Sequence, residues 1–337
     1  MRGDKAQGLN RRTLLKAAGA ASLLPFSPAV HAQSLRKLTL AIGTAPPDPA
    51  CHYLYYAREK GFYKANGLEI DIKGMVSATN ATRAVIAGEA DVGWPDGVSS
   101  IVAWDQGAKI KIMSAFAPKL DYVIVGTKDI ANIKGLEGKR FAVATIGGGT
   151  AIIPKVMIEK AGGNNKAIRY VALGNSAARA QALVAKTVDA TIVTSSFLPR
   201  LLTYSNIHVV ANAAAEIPDF VYTWEIVSDA GEAKNADALA SFGVACAQAV
   251  RWAYANKEDA IQISLALLPD ANKDEIRNSI KAYIERKYWS QDGKLPRKTL
   301  DFSTEQLLDA GVIKQRPSYE SFYSSKIADV IAKKLRA

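Results

Sequence analysis

The chain has 337 residues, 49% of them hydrophobic, and a formal net charge of +11 from 43 Lys and Arg against 32 Asp and Glu. That length supplies one large or two medium cores without disulfide help, and two cysteines (Cys51 and Cys246) make neither a disulfide scaffold nor a metal or redox spacing. No Lys/Arg block interleaved with aromatics occurs, which argues against nucleic acid as a partner; the positive excess reads as solvated surface or as attraction to anionic ligands.

Residues 1–32 read as an export signal. Asn10-Arg11-Arg12-Thr13-Leu14-Leu15-Lys16 sets paired arginines before an apolar run that ends in Ala29-Val30-His31-Ala32, a small-x-small cleavage point. The arginine pair is of the twin-arginine type, which carries folded cargo. Lys16, Ser22, Pro25, Ser27 and Pro28 keep the run below the roughly 20 apolar residues that span a bilayer. A soluble periplasmic protein, released after about Ala32 and acting as a monomer, is expected.

Beyond the signal, "KLTLAIG" predicts a strand, and "TAPPDPA" breaks the chain. "HYLYYAREKGFYKANG" predicts a helix that stops at Gly61 or Gly67. Cys51 is expected on a loop and Cys246 in a helix core, unbridged. "LEIDIKG" alternates as a strand, "ADVGW" forms a third, a helix spans about 98–106, and "IKIMSAFA" is a strand. Strands alternating with helices mark a parallel α/β layer.

The same order recurs from about residue 121. "DYVIVGT" is a strand, and "KGLEGKRFAVAT" leads into another. "IGGGTAIIPKVMIEKAGG" is a glycine loop with a helix, and "IRYVALG" and "DATIVT" are further strands. The echo is sharpest between "VSATNATRAVIAGEADVGW" at 76–94 and "GNSAARAQALVAKTVDATI" at 174–192, where Ala84, Ala87 and Asp91 meet Ala182, Ala185 and Asp189. Two copies of one unit imply two lobes, each with its own sheet. "YTWEIVS" at 222–228 predicts a strand returning between the lobes. Asn235 then caps a long helix carrying Leu239, Phe242, Cys246, Ala249 and Ala253 on one face, with more helices following.

Each copy of the repeated stretch ends a strand in a polar or glycine cluster and begins a helix, whose first N–H groups have no partner inside the helix. Such strand ends suit an anionic or polar ligand, although plain N-capping accounts for the same residues. "ATIGGGTA" at 144–151 adds close backbone approach in the second half, without the Gly-Lys-Ser/Thr of a nucleotide-binding loop. Enzyme chemistry finds little support. Outside the signal only His52 and His208 remain, no Gly-x-Ser-x-Gly elbow occurs, and Asp48, Asp96 and Asp121 are unpaired by sequence.

"YAREKGFYKANGLEIDI", "RAVIAGEADVGWPDGVSSIVAWDQGAKIKIMSAF", "KGLEGKRFAVATIGGGTA", "ARAQALVAKTVDATIV" and the late "LLDAGVIKQRPSYESFY" together resemble the periplasmic substrate-binding proteins of ABC importers, in the branch handling nitrate, sulfonates, taurine and pyrimidine precursors. The resemblance covers nearly all of 37–325. It implies the type II two-lobed α/β fold, with mainly parallel sheets flanked by helices and two crossing hinge strands. Residues 36–120 with about 225–330 would form one lobe and 121–224 the other.

Carried over by position, the ligand contacts would be His52 and Tyr53, then Ser77, Thr79 and Asn80, then Trp94, Asp96 and Gly97. Phe116 and Tyr122 would follow at the crossing, with Thr145, Gly148, Gly149 and Thr150 from the glycine loop. Asn175, Ser176 and Arg179, Ser195, Ser196 and Phe197, and Trp224 would complete the set. The aromatic residues favour a flat or partly apolar body. Arg179 and Arg200 are candidates for a carboxylate or sulfonate, or for structural salt bridges. No catalytic residue, metal or cofactor is implied. The resemblance implies a permease and ATPase as partners; a sensing subunit for a signalling receptor, or a binder of a pyrimidine-type thiamine precursor, are the alternatives.

Overall fold

The computed structural model describes residues 34–336, so the expected export signal lies outside the described residues. β1 (Arg36–Ile42) is buried along its second half, and Asp48 caps a 3₁₀ turn, Pro49–Cys51, that opens α1 (His52–Glu59). Gly61 and Gly67 both adopt left-handed φ, so each expected stop is used and a short α2 (Phe62–Ala65) stands between them. β2 (Leu68–Gly74), α3 (Ala78–Ile86), β3 (Val92–Trp94), α4 (Gly97–Asp105) and β4 (Ile110–Ser114) complete the first run.

The second run is β5 (Tyr122–Thr127), β6 (Arg140–Val143), α5 (Gly149–Lys160), β7 (Arg169–Ala172), α6 (Ser176–Val184), β8 (Ala190–Thr194), α7 (Leu198–Leu201), β9 (Ile207–Asn212) and α8 (Ala213–Glu216). β10 (Glu225–Ser228) then leads into α9 (Asp229–Ala255), α10 (Lys257–Leu267), α11 (Lys273–Glu285), α12 (Arg297–Asp309), α13 (Tyr319–Phe322) and α14 (Ser325–Lys334).

Two five-stranded sheets result, ordered β2-β1-β3-β10-β4 and β7-β6-β8-β5-β9. In each, three neighbouring strands are parallel, and the fourth place is taken by an antiparallel strand at a crossing between the sheets, β10 in the first and β5 in the second. The crossing segments touch through an antiparallel bridge between Lys119 and Val221 and through Tyr222 N donating to Pro118 O at 2.9 Å. The repeated aspartates do equivalent work. Asp91 Oδ2 accepts from Thr39 N and Asp189 Oδ2 from Arg140 N, both at 2.8 Å, tying the loop before β3 to β1 and the loop before β8 to β6.

Several sequence expectations require correction. The strand expected through residue 117 ends at Ser114, where Ala115 N instead donates to Gly293 O. Only Glu225–Ser228 of "YTWEIVS" is ladder, because Tyr222 and Thr223 bond Gly97 and Pro95 in the crossing. The strand Ile207–Asn212 was not expected. The long helix starts at Asp229, capped by Ser228, and Asn235 is a non-helical kink within it whose side chain bonds Arg36 and Asp91. Cys51 is no loop thiol: it and Cys246 are both fully buried and free. The apolar face of α9 is buried as its spacing predicts. Trp289 fills the centre of an aromatic cluster with Tyr53, Tyr56 and Tyr283, its Nε1 donating to Ala50 O at 2.8 Å. No helix among the described residues is long and apolar enough to cross a membrane.

Candidate ligand site between the two sheets

Four helix starts converge where the two runs of the chain meet. Ser77 Oγ caps α3 by accepting from Asn80 N at 3.3 Å, and Asn175 Oδ1 caps α6 by accepting from Ala178 N at 3.0 Å. These two caps occupy equivalent places in the repeat, so part of its polar front is consumed by capping. Asp96 caps α4 through Ser99 N at 2.6 Å, and its second oxygen accepts from Gly149 N at 3.1 Å, at the uncapped start of α5. A carboxylate of one half thus rests on the helix start of the other, where free N–H groups favour negative charge.

The glycines make that approach possible. A Cβ on Gly149 would lie 3.1 Å from Asp96 Cγ, and one on Gly43 would lie 2.6 Å from Ala78 Cα. In this structure the group that enters the glycine loop is Asp96. Thr150 Oγ1 meanwhile accepts from Ala144 N at 2.9 Å, and Thr145 Oγ1 lies 3.2 Å from Thr79 Oγ1 across the cleft.

A cavity of ≈ 60 Å³ remains between the sheets. Of the residues singled out in the sequence, Trp94, Asp96, Tyr122, Thr150, Asn175, Ser176 and Arg179 line it. Ser77, Thr79, Asn80, Gly97, Thr145, Gly148 and Gly149 belong to the surrounding helix starts without lining it. Ser195 bonds Asp121 Oδ1 at 2.7 Å near the crossing. Ser196, Phe197 and Arg200 line a second pocket beside the first. His52, Tyr53, Phe116 and Trp224 are buried inside the half built on the first sheet. There the Tyr53 hydroxyl bonds Glu225, and Trp224 Nε1 donates to Ser100 Oγ at 2.7 Å. Thr44, Thr194, Tyr222 and Thr223 also line the cavity but were not singled out. Thr194 ends β8, and the rule that ligands sit beyond strand carboxyl ends supplies the signal for it.

The charges of the cavity are unevenly answered. Arg179 is 2% exposed. Its Nε donates to Ile192 O at 3.0 Å, Nη1 donates to Gly174 O, and Nη2 donates to Ser176 Oγ at 3.0 Å, all neutral acceptors. Burial lowers its pKa, yet a guanidinium stays charged. Asp48, also in the wall, accepts from Ala50 N at 2.9 Å and from Thr194 Oγ1 at 3.1 Å, and burial pushes its carboxyl up to about 6. Burial raises Asp96 as well. Tyr222 packs edge-on against Trp94 and Tyr122. The indole Nε1–H of Trp94, on a ring that lines the cavity, has no acceptor among the described residues. A buried indole donor without an acceptor is uncommon and costly. The wall therefore offers a cation whose hydrogen bonds all go to neutral acceptors, with the Asp48 carboxyl acting on it only through space, and an unanswered donor, an arrangement suited to an acceptor-rich group. Among the described residues no cluster of three His, Cys, Asp or Glu is placed to hold a metal ion.

A family model described as "NMT1/THI5 like" matches residues 48–260. The Bacillus subtilis (strain 168) protein YtlA, named as a binding protein, is 23% identical over 289 residues, covering 82% of this chain and 85% of YtlA. A structure from Bordetella bronchiseptica RB50 superposes with a TM-score of 0.76 at 17% identity, covering 89% of this chain and 98% of that one. The alkanesulfonate-binding protein SsuA from Xanthomonas axonopodis pv. citri, bound to MOPS, superposes with a TM-score of 0.68 at 14% identity, covering 83% and 95%. The two-sheet architecture is the periplasmic-binding-protein fold.

Proposed function

Because the chain belongs to the NMT1/THI5-like family, we propose that it is an exported periplasmic binding protein that captures a small organic anion between its lobes and delivers it to an ABC-type permease and ATPase. On this reading 36–120 with about 225–330 forms one lobe and 121–224 the other. The observation that carries it is Arg179, a buried cation in the cavity wall whose hydrogen bonds all go to neutral acceptors. A carboxylate or sulfonate head would receive its remaining N–H groups and the free Trp94 donor. The alkanesulfonate-binding relative supports an acidic head of this kind.

Closure is the mechanism. Asn175 Nδ2 donates to Ala45 O at 2.9 Å, Thr194 Oγ1 to Asp48 Oδ2 at 3.1 Å, and Gly149 N to Asp96 Oδ2 at 3.1 Å, and with the Thr79–Thr145 hydroxyl pair at 3.2 Å these contacts join the two halves around the cavity. A ligand that touches both halves adds to these contacts only in the closed form, and so shifts an open–closed equilibrium toward it. Catalysis is not required of any residue.

The test is titration of the purified chain with small carboxylates and sulfonates, read by tryptophan fluorescence. Anions should bind, and Arg179→Gln should weaken them by about 1.5–3 kcal/mol, the worth of a hydrogen bond to a charged group. Binding of cations in preference to anions, or equal anion affinity in a folded Arg179→Gln protein, would refute the proposal.

A further inference from the structure

Three of the four helix starts in the cleft carry their own cap: Ser77 for α3, Asp96 for α4 and Asn175 for α6. α5 does not. Gly148 stands at its cap position, its first turn holds no acidic residue, and Thr150 Oγ1 is already engaged by Ala144 N. The bare N–H groups of a helix start take a partner from elsewhere. Here the partner is Asp96, from the other half of the chain. Its Oδ1 accepts from Ser99 N at 2.6 Å and its Oδ2 from Gly149 N at 3.1 Å, so one carboxylate caps two helices, one in each half.

The two caps differ in what they depend on. The Ser99 contact lies within α4 and survives any movement of the halves, whereas the Gly149 contact exists only while the halves are together. The approach is close: a Cβ on Gly149 would lie 3.1 Å from Asp96 Cγ, and one on Gly148 would lie 2.8 Å from Thr145 Oγ1 and 3.4 Å from Asp96 Oδ2. Beside it, Thr79 Oγ1 lies 3.4 Å from Ser99 Oγ and 3.2 Å from Thr145 Oγ1, so hydroxyls of both halves continue the contact. Asp96 cannot follow α5 outward. Its backbone bridges Thr223, and Gly97 N donates to Tyr222 O at 2.9 Å in the returning crossing segment.

We infer that Asp96 is a latch: the second cap, lent to α5, holds the halves together through the protein's own atoms with or without a solute between them, an inference that rests on the lobe closure proposed above and not on which solute is captured. A cap of this kind is worth about fivefold in an equilibrium, within a range of about two- to thirtyfold. A solute therefore completes a closure that the chain already favours, and it enters only when the latch is off.

The latch is read without solute, from the rate at which iodoacetamide alkylates a cysteine in the cavity wall. Thr194→Cys, at a position 1% exposed at the end of β8, is carried by every protein compared, so its own effects cancel. Cys51 and Cys246 are fully buried and line neither pocket, so their alkylation reports unfolding in the same sample. Asp96→Asn keeps an oxygen for Ser99 N, and Asn caps as well as Asp, but its amide turns a donor toward Gly149 N. Gly149→Ala acts from the other side: alanine suits the first residue of α5, yet its Cβ crowds the carboxylate away. Each should raise the alkylation rate of the cavity cysteine about fivefold, with Cys51 and Cys246 unreactive. An unchanged rate in the folded variants would overturn the latch while lobe closure stands. A cavity cysteine that reacts as fast as free cysteine in the protein with Asp96 and Gly149 intact would overturn both. If Asp96→Asn exposes Cys51 or Cys246, Gly149→Ala decides.

Discussion

Glu225 opens β10 just after the chain crosses back to the first sheet, and it is fully buried. Its carboxylate accepts from the Tyr53 hydroxyl, from Ser114 Oγ at 2.8 Å and from Phe116 N at 3.4 Å, with no cation acting on it strongly enough to offset desolvation. Burial raises its pKa from 4.5 to about 7. Between those values the folded protein holds a proton that the unfolded chain has released, so stability is lost as pH rises, at about 1.4 kcal/mol per pH unit. The penalty is absent below pH 4.5 and reaches about 3 kcal/mol above pH 7. Glu225→Gln stays neutral, and its amide can face the Tyr53 oxygen while its carbonyl keeps Ser114 and Phe116. The stability difference between the variant and the parent should therefore move by about 3 kcal/mol in the variant's favour from acid to mildly alkaline pH. Urea unfolding followed by tryptophan fluorescence across this range measures it, and groups shared by both proteins cancel in the difference. A difference that stays constant with pH would refute the reasoning, because it would mean that the buried carboxyl does not change its proton occupancy on folding.

Asp48, raised to about 6 in the cavity wall, should take up a proton when an anion binds beside it, so anion affinity should rise as pH falls from 8 toward 5. Asp48→Asn should flatten that profile in the same titration, and an unaltered profile would remove Asp48 from the ligand's surroundings. At Gly97 a Cβ would lie 2.3 Å from Val221 Cγ1 on the returning crossing segment, so Gly97→Ala should cost about 1–3 kcal/mol by overpacking. An unchanged melting temperature would contradict that close approach.

The repeat was the most legible part of the sequence. Its two helices and strands occupy equivalent places in the two sheets, and the paired aspartates hold equivalent amides. Period and capping residues are local properties, and they were enough to locate these elements. Much of what the sequence left open was decided by burial and by contacts distant along the chain. Arg179 and Arg200 were equal candidates until the fold buried one against three neutral acceptors and left the other exposed. Tyr53, Phe116 and Trp224 stand next to cleft loops in the sequence but turn into the core, since Glu225 and Ser100 there answer the polar atoms of Tyr53 and Trp224. Asn235 has the side chain of a cap, yet Ser228 starts the helix and Asn235 bends it, because its amide is engaged by Arg36 and Asp91. The partners of Tyr53, Trp224 and Asn235 lie far outside any window that periodicity surveys, whereas Arg179 takes Ser176 and Gly174 from the start of its own helix and only Ile192 from further along.

The borrowed strand has a consequence for the order in which the protein is made. β5 through β9 form one uninterrupted stretch, so the second sheet has all of its strands once Asn212 has emerged. The first sheet does not: β3 and β4 are never neighbours, and the lane between them is filled by Ile226, which faces Gly93 on one side and Ile112 on the other. A nascent chain ending anywhere before Glu225 leaves that lane empty, so the portion synthesised first is the one whose sheet must close last.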